Sequence, residues 1–458
     1  MTQHNNANIA GFAVAGSGIA ALVSDILRGR DDRSQAMRVA LFAFLVRVAS
    51  AGLAYLSQVF MARWIGSSEY GVFVTVWVMI LLVGGLAPVG LSTAAQRFPP
   101  EYAERGEHDL LRGYIAGSRG LAFALASLIG GLGAAGVYLL EPWIDGAYVM
   151  PIYLACICLP MAALMEVQDG IARSYNWPDL AHALPYIVRP AAILLLMGLF
   201  LEYGAPRSAE TAMLALIAAI WLTGLVQFLA LGRRLGRVIE KGERRYLWKR
   251  WLTASLPIFL IDGFYVLLTS TDVLVLSFYR DPTEVGVYFA TARTLALVSF
   301  VYFAVTAACA HRFSAYHARG ETERLHAFVR DAVRWTFWPS LAACVGMLLV
   351  GRLLLSAFGH EYVAGYPLMF ILAFGLLARA AVGPVERLLN MLDQQIPCAI
   401  AIGTAFAANL ALNLALIPFW GLYGAAVATA VAYVVESVLL FRAARKQLGI
   451  DVVIWSRS

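Results

Sequence analysis

The chain has 458 residues, 60% of them hydrophobic and only 14% charged, and its mean hydropathy is +0.71. That balance excludes a soluble globule with one polar face per helix and places the chain in a lipid bilayer. The net charge of +6 points to topology and not to nucleic acid, because the basic residues gather in alternate loops between apolar runs.

Residues 1–37 are polar at both ends of an Ala- and Gly-rich run, Ile9–Val23. Met1–Asn8 carries no Lys or Arg and the run is too weak to span, so the pattern predicts a cytoplasmic tail and not a signal peptide. From Arg38 onward, apolar runs long enough to cross the hydrocarbon core predict an all-α polytopic membrane protein of about 12 transmembrane helices. The spans are 39–61, 69–91, 119–140, 150–168, 182–202, 211–232, 254–279, 285–310, 333–357, 366–389, 397–418 and 422–442. A membrane β-barrel is excluded because its strands would alternate. Loops after even-numbered spans hold the basic residues, including Arg97, Arg105, Arg112, Arg312, Arg319 and Arg324. Loops after odd-numbered spans are short, and 141–148 and 359–365 contain no Lys or Arg. This bias predicts cytoplasmic amino and carboxyl termini. All five cysteines fall in apolar runs, and Cys156-x-Cys158 has no second pair at metal-site spacing, so they read as small core residues.

The stretch from Ala62 to Glu107 occurs twice. Glu69-Tyr70-Gly71-Val72-Phe73 returns as Glu284-Val285-Gly286-Val287-Tyr288, at 286 − 71 = 215. Arg97-Phe98 returns as Arg312-Phe313 at the same offset, and Tyr102-x-x-Arg105-Gly106-Glu107 returns as Tyr316-x-x-Arg319-Gly320-Glu321 at 319 − 105 = 214. An offset held through an apolar run and across a loop marks a duplicated half. An even number of spans per half gives both copies one orientation, related by an axis along the membrane normal. The expected organisation is therefore two pseudo-symmetric six-helix lobes, 38–232 and 252–443, joined by a basic cytoplasmic linker, 233–251, and followed by a cytoplasmic tail, 444–458. The linker reads as a solvated, topology-setting loop that can also meet anionic head groups.

Ionisable groups inside spans are costly and usually face a cavity or a partner. In the first span Arg47, Ala51, Ala54 and Gln58 recur at helical spacing, and in the seventh Asp262, Tyr265, Thr269 and Asp272 do the same. The offset makes Arg47 and Asp262 equivalent, 47 + 215 = 262, so the two halves carry opposite charges at one position. Depth suggests structural ion pairing for Asp272 with Arg293 and for Glu166 with Arg189. Arg379, near mid-depth in the tenth span, shows no acidic partner at its depth, and excess guanidinium favours an anionic cargo. No G-x-x-x-x-G-K-[ST] loop and no nucleophile–base constellation is found, so neither ATP hydrolysis nor another enzymatic activity is expected. No cofactor or metal is expected either.

Leu53–Gln58 with Met61-Ala62-Arg63-Trp64-Ile65-Gly66-x-x-Glu69-Tyr70-Gly71 resembles the opening of the polysaccharide flippases of the multidrug/oligosaccharidyl-lipid/polysaccharide exporter superfamily. Arg97-Phe98-Pro99-Pro100-Glu101-Tyr102, Leu256-Pro257, Thr271-Asp272 and Phe358-Gly359-x-Glu361-Tyr362 add to the resemblance, which runs from about residue 38 to 440. It implies two six-helix bundles about a cation-rich lumen in the inner membrane of a bacterium. The implied cargo is an undecaprenyl-diphosphate-linked oligosaccharide for lipopolysaccharide O-antigen, capsule or exopolysaccharide, handed on to polymerase and export machinery. Arg47, Arg293 and Arg379 are then candidates for the diphosphate, and Gln58, Tyr265 and Thr269 for the sugar path. Coupling to a proton or sodium gradient is implied through Asp262 or Asp272. A cation-coupled multidrug exporter would want an acidic lumen, which the arginine excess opposes. A membrane-embedded glycan polymerase or acyltransferase would usually want a large outer loop or a catalytic constellation, and every predicted outer loop is short.

Overall fold

The computed structural model describes the backbone of residues 32–392, 394–450, 452 and 454, and side chains from Ala49 onward apart from 307, 308, 310, 311, 393, 451, 453 and 455–458. The amino-terminal tail to residue 31 and the side chain of Arg47 lie outside the described residues. Two compact units divide the chain, Met1–Gly52 and Leu53–Ser458. In the first, the described backbone is helical from Asp32. Every interaction reported below belongs to the second.

Among the described residues all regular elements are helical. The first half holds α1 (Asp32–Ile65), α2 (Ser67–Leu86), α3 (His108–Leu140), α4 (Gly146–Ser174), α5 (Asp179–Glu202, π-helical to Val188) and α6 (Ala209–Val238). The second holds α7 (Trp248–Leu268), α8 (Thr271–Tyr279), α9 (Pro282–Ala296), α10 (Ser299–Ala318), α11 (Thr322–Phe358), α12 (Tyr366–Ala380), α13 (Val385–Met391), α14 (Gln395–Trp420) and α15 (Leu422–Leu448). Among the described residues ten helices are long and apolar enough to cross a membrane, eleven with the pair α9 and α10, which bend by 41° at their break. With α1 in the place of the first span, the fold is an all-α polytopic one of about twelve spans in two six-helix lobes.

Helix ends follow local chemistry. The Asp145 carboxylate accepts the Ala147 N–H at the start of α4, and the Ser208 hydroxyl accepts the Thr211 N–H at the start of α6. The duplicated Y-x-x-R-G-E loops close in the same way. Gly106 (φ 69°) and Gly320 (φ 67°) are both left-handed, and the N–H of the following glutamate donates to the tyrosine carbonyl, Glu107 to Tyr102 at 2.9 Å and Glu321 to Tyr316 at 3.0 Å. This is a helix stop that glycine makes inexpensive, and it is the duplication visible in backbone geometry.

Three expected spans are broken. The seventh stops at Leu268 and restarts at Thr271, where the Thr269 and Thr271 hydroxyls donate to the carbonyls of Tyr265 and Leu267 at 3.0 and 2.6 Å. The eighth bends between α9 and α10. The tenth breaks over residues 381–384, at left-handed Gly383 (φ 64°) and Pro384, where the freed Ala381 carbonyl accepts the N–H of Ile454 at 3.3 Å. Irregular backbone at membrane depth is tolerated where protein covers it. The carboxyl-terminal segment read as a tail does part of that covering, since Ile450 and Val452 are buried beside Val382, Val385 and Leu389.

The expected linker is partly helical, because α6 runs to Val238 and α7 begins at Trp248. Between them the chain lies along α3: Arg245 N–H donates to the Asp109 carbonyl at 3.0 Å, and a Cβ on Gly113 would run into the Arg245 carbonyl. The start of α7 is likewise anchored to the first half, with Trp251 Nε1 donating to the Tyr102 hydroxyl at 2.9 Å and Arg250 paired with Glu101 at 2.8 Å.

Candidate functional site

The duplicated E-x-G-V-aromatic motif builds a seam between the halves. Helices α2 and α9 pack with the two repeat glycines in the contact, so close that a Cβ on Gly71 would run into the Pro282 carbonyl, while one on Gly286 would lie 3.1 Å from the Ser67 carbonyl oxygen. Small residues permit such approach in lipid, where dispersion and hydrogen bonds drive helix association. Tyr70, fully buried, sits among Phe289, Phe358 and Tyr362 of the second half, with ring centroids 6.0 to 6.3 Å apart. Its hydroxyl donates to Gln58 Oε1 at 3.1 Å, so Gln58 supports the seam. Arg63 reaches across to the end of α11, donating to the Ala357 and Ser356 carbonyls at 2.7 Å each. A guanidinium there meets orphan carbonyls and the negative end of the helix dipole. Glu69 accepts the Ala209 N–H at 2.7 Å, the reverse arrangement at the start of α6.

Arg293 lies on α9, seven residues beyond Gly286. It is exposed, its guanidinium stands 4.8 Å over the Phe289 ring, and Tyr70, Asp272, Tyr433 and Tyr265 lie within electrostatic range. The ion pair expected between Arg293 and Asp272 is not formed. Asp272 is instead held by three donors: Val273 N–H to Oδ1 at 2.8 Å, and the hydroxyls of Tyr288 and Thr429 to Oδ2 at 2.6 and 3.2 Å. The break in the seventh span puts Asp272 in the first turn of α8, where its carboxylate meets Tyr288 on α9 and Thr429 on α15. A buried carboxylate with hydroxyl ligands and no cation in contact suits a proton or a small monovalent ion. Helix α14, packed on α8, carries a further buried polar pair, Asn413 Nδ2 donating to Asn409 Oδ1 at 2.9 Å.

Arg379 corrects the expectation that it lacks an acidic partner. Its Nη2 lies 3.5 Å from Glu386 Oε2 across the break in the tenth span and 3.3 Å from Glu436 Oε1 on α15. Its Nη1 donates to the Tyr265 hydroxyl at 3.4 Å, and the rings of Tyr265, Tyr302 and Tyr433 surround it at 5.1, 5.1 and 5.7 Å. Tyr265 therefore belongs to this cage, and Thr269 spends its hydroxyl on the α7 terminus. Arg379 is not surplus positive charge. The signal for Glu436 was in the spans: 379 − 366 = 13 and 436 − 422 = 14 put the two groups at one depth.

Asp262 is exposed and accepts the Thr93 hydroxyl at 2.9 Å, joining α7 to the turn after α2, with Arg173 and Arg387 in electrostatic range. Its relation to Arg47 falls outside the described residues. Glu166 and Arg189 do not pair; the half-buried acid in electrostatic range of both is Asp169, which accepts from Gln227 Nε2. Arg119 on α3, not singled out by the sequence, donates to Gln168 at 3.4 Å over the Phe228 ring.

A sequence model of the polysaccharide biosynthesis protein family matches residues 37–317. The chain is 24% identical over 409 residues to a Haloferax volcanii protein described as a probable low-salt glycan biosynthesis flippase, Agl15, covering 88% of this chain and 82% of that one. Among solved structures, an inward-facing multidrug resistance MATE family transporter of the MOP superfamily superposes with a TM-score of 0.72 at 15% identity, over 89% of this chain and 98% of that one. The lipid II flippase MurJ in an inward closed conformation superposes at 0.70 and 16%, over 88% and 87%.

Proposed function

Because the chain belongs to the polysaccharide biosynthesis protein family, we propose that it flips a polyprenyl-diphosphate-linked oligosaccharide across a bacterial cytoplasmic membrane by alternating access. It is a multi-pass membrane transporter of the flippase kind and not an enzyme. The observation that carries the cargo reading is Arg293, an exposed guanidinium at the edge of the inter-half seam with no carboxylate in contact among the described residues. A planar fork there matches a diphosphate, and phosphate contact would lie where α2 and α9 must part. With Arg379 neutralised by its own glutamates, Arg293 and Arg47 bear this role. The glycan would serve surface polysaccharide, O-antigen or exopolysaccharide, with both termini of the chain cytoplasmic.

In a deletion strain, undecaprenyl-linked glycan accumulates at the inner leaflet. Arg293→Ala, expressed at normal level, leaves that accumulation in place, and Arg293→Lys restores part of the export; clearance by Arg293→Ala at the wild-type rate would overturn the assignment. A multidrug exporter would leave the glycan distribution unchanged on deletion.

We propose Asp272 rather than exposed Asp262 for ion coupling, since of the two it alone combines burial with three donors and no basic partner in contact among the described residues. Asp272→Asn abolishes the sodium- or proton-gradient dependence of flipping in proteoliposomes while Asp262→Asn retains it. The opposite pattern sinks the placement.

A further inference from the structure

We propose that Glu436, with Arg379 and Glu386, forms a proton-binding site inside the second lobe. The argument starts from a charge count. One guanidinium lies within 3.5 Å of two carboxylates, so the fully ionised triad carries a net −1. Glu436 has a fully buried side chain, and neither of its oxygens accepts a hydrogen bond among the described residues, whereas Glu386 is 25% exposed and does accept one from Arg379 Nη2. An ionised carboxylate without donors is the costliest group to keep in a low-dielectric interior. One bound proton makes the triad neutral. A metal cation would have to sit beside the guanidinium, which repels it.

The groups in electrostatic range of Glu436 are Tyr302 on α10, Arg379 on α12, Glu386 on α13, Cys398 on α14 and Tyr433 on its own helix, and Tyr265 on α7 faces the same guanidinium. Arg379 is the only basic side chain among these six. Beside it a cavity of about 20 Å³, lined by Tyr265, Tyr302, Ser340 and Arg379, has room for one water at the guanidinium.

The site is built across the break in the tenth span. Arg379 precedes the break, Glu386 follows it on α13, and α13 packs on α10. When the Glu436 proton passes to solvent water, leaving the O–H electron pair on the carboxylate, that carboxylate competes for Arg379 Nη2 and loosens its hold on Glu386. Proton release thereby frees the half-helix 385–391. This reading does not depend on which cargo is carried.

The test is pH-difference infrared spectroscopy of the full chain reconstituted in lipid. Near neutral pH it shows a protonated-carboxyl stretch that disappears on alkalinisation. The band shifts with carboxyl-¹³C glutamate and not with carboxyl-¹³C aspartate, which needs no variant. Glu436→Gln removes it; Glu386→Gln, by removing the competing negative charge, moves its midpoint down by at least one pH unit. A band that survives Glu436→Gln, follows aspartate labelling, is missing from the wild type, or ignores Glu386→Gln overturns the proposal. Because no cargo enters the measurement, its failure is separable from failure of the flippase assignment.

Discussion

Gly71→Ala will damage the protein far more than Gly286→Ala, although the two glycines are equivalent in the duplication. A methyl on Gly71 is driven into the backbone carbonyl of Pro282, and backbone at the start of α9 cannot swing aside as a side chain can. On Gly286 it would lie 3.1 Å from the Ser67 carbonyl oxygen and 3.3 Å from Tyr70 Cδ1, distances relieved by a shift of a few tenths of an ångström. Overpacking typically costs about 1–3 kcal/mol, and Gly71 belongs at or above the top of that range. Because the seam also carries Tyr70 and the Arg63 hydrogen bonds, parting α2 from α9 weakens those contacts with it. Thermal unfolding in detergent should place Gly71→Ala several degrees below wild type and Gly286→Ala near it. A cross-link between α2 and α9 should form readily in the second variant and poorly in the first. Equal behaviour would mean that the seam is not the tight contact described.

The duplication was legible because its constraints are local. The left-handed glycine after Y-x-x-R is demanded by backbone geometry within a few residues of itself, and the glycine one turn into each helix by the close packing of α2 on α9, so both are written as letters at a fixed offset. Eleven of the twelve span positions were legible from apolar length alone, counting the bent pair α9 and α10 as one. The breaks at 269–270, 297–298 and 381–384 were not, because both sides of each break are apolar and hydropathy cannot see a change of direction. Gly383-Pro384 was the one written signal, and Pro384 alone reads equally well as a packing residue.

The site was less legible than the fold. Arg293, Asp272 and Arg379 stood out as charges in apolar runs, but their partners depend on which way a broken helix turns. Asp272 at a helix start meets hydroxyls instead of Arg293. Glu386 is seven residues from Arg379, about 10.5 Å along an unbroken helix, and comes within 3.5 Å through the break. Depth matching alone would have offered Glu436, which shows that an intramembrane arginine should be tested against acids in every span before it is counted as free.

Arg379→Met decides between a structural and a cargo role for that arginine. The substitution keeps an apolar stem among Tyr265, Tyr302 and Tyr433 but removes the only cation in contact with Glu386 and Glu436 among the described residues. Breaking a buried pair by deleting one partner costs about 3–5 kcal/mol, because the surviving charge stays buried and unpaired. The yield of folded protein should therefore fall steeply. Adding Glu386→Gln and Glu436→Gln removes the orphaned charges, and the neutral triple variant should recover most of the lost stability, as replacing a whole buried ionic cluster often does. Lysine is not an equivalent replacement, since it lacks the planar fork and the stacking surface that three tyrosine rings receive. The two roles then separate on activity. If Arg379 only balances its glutamates, the refolded triple variant flips lipid-linked glycan, now without response to pH at the Glu436 site. If Arg379 grips a diphosphate, the same variant folds, inserts and fails to transport. The geometry favours the first outcome, because both terminal nitrogens of the guanidinium already face acceptors, Nη1 the Tyr265 hydroxyl and Nη2 the two carboxylates.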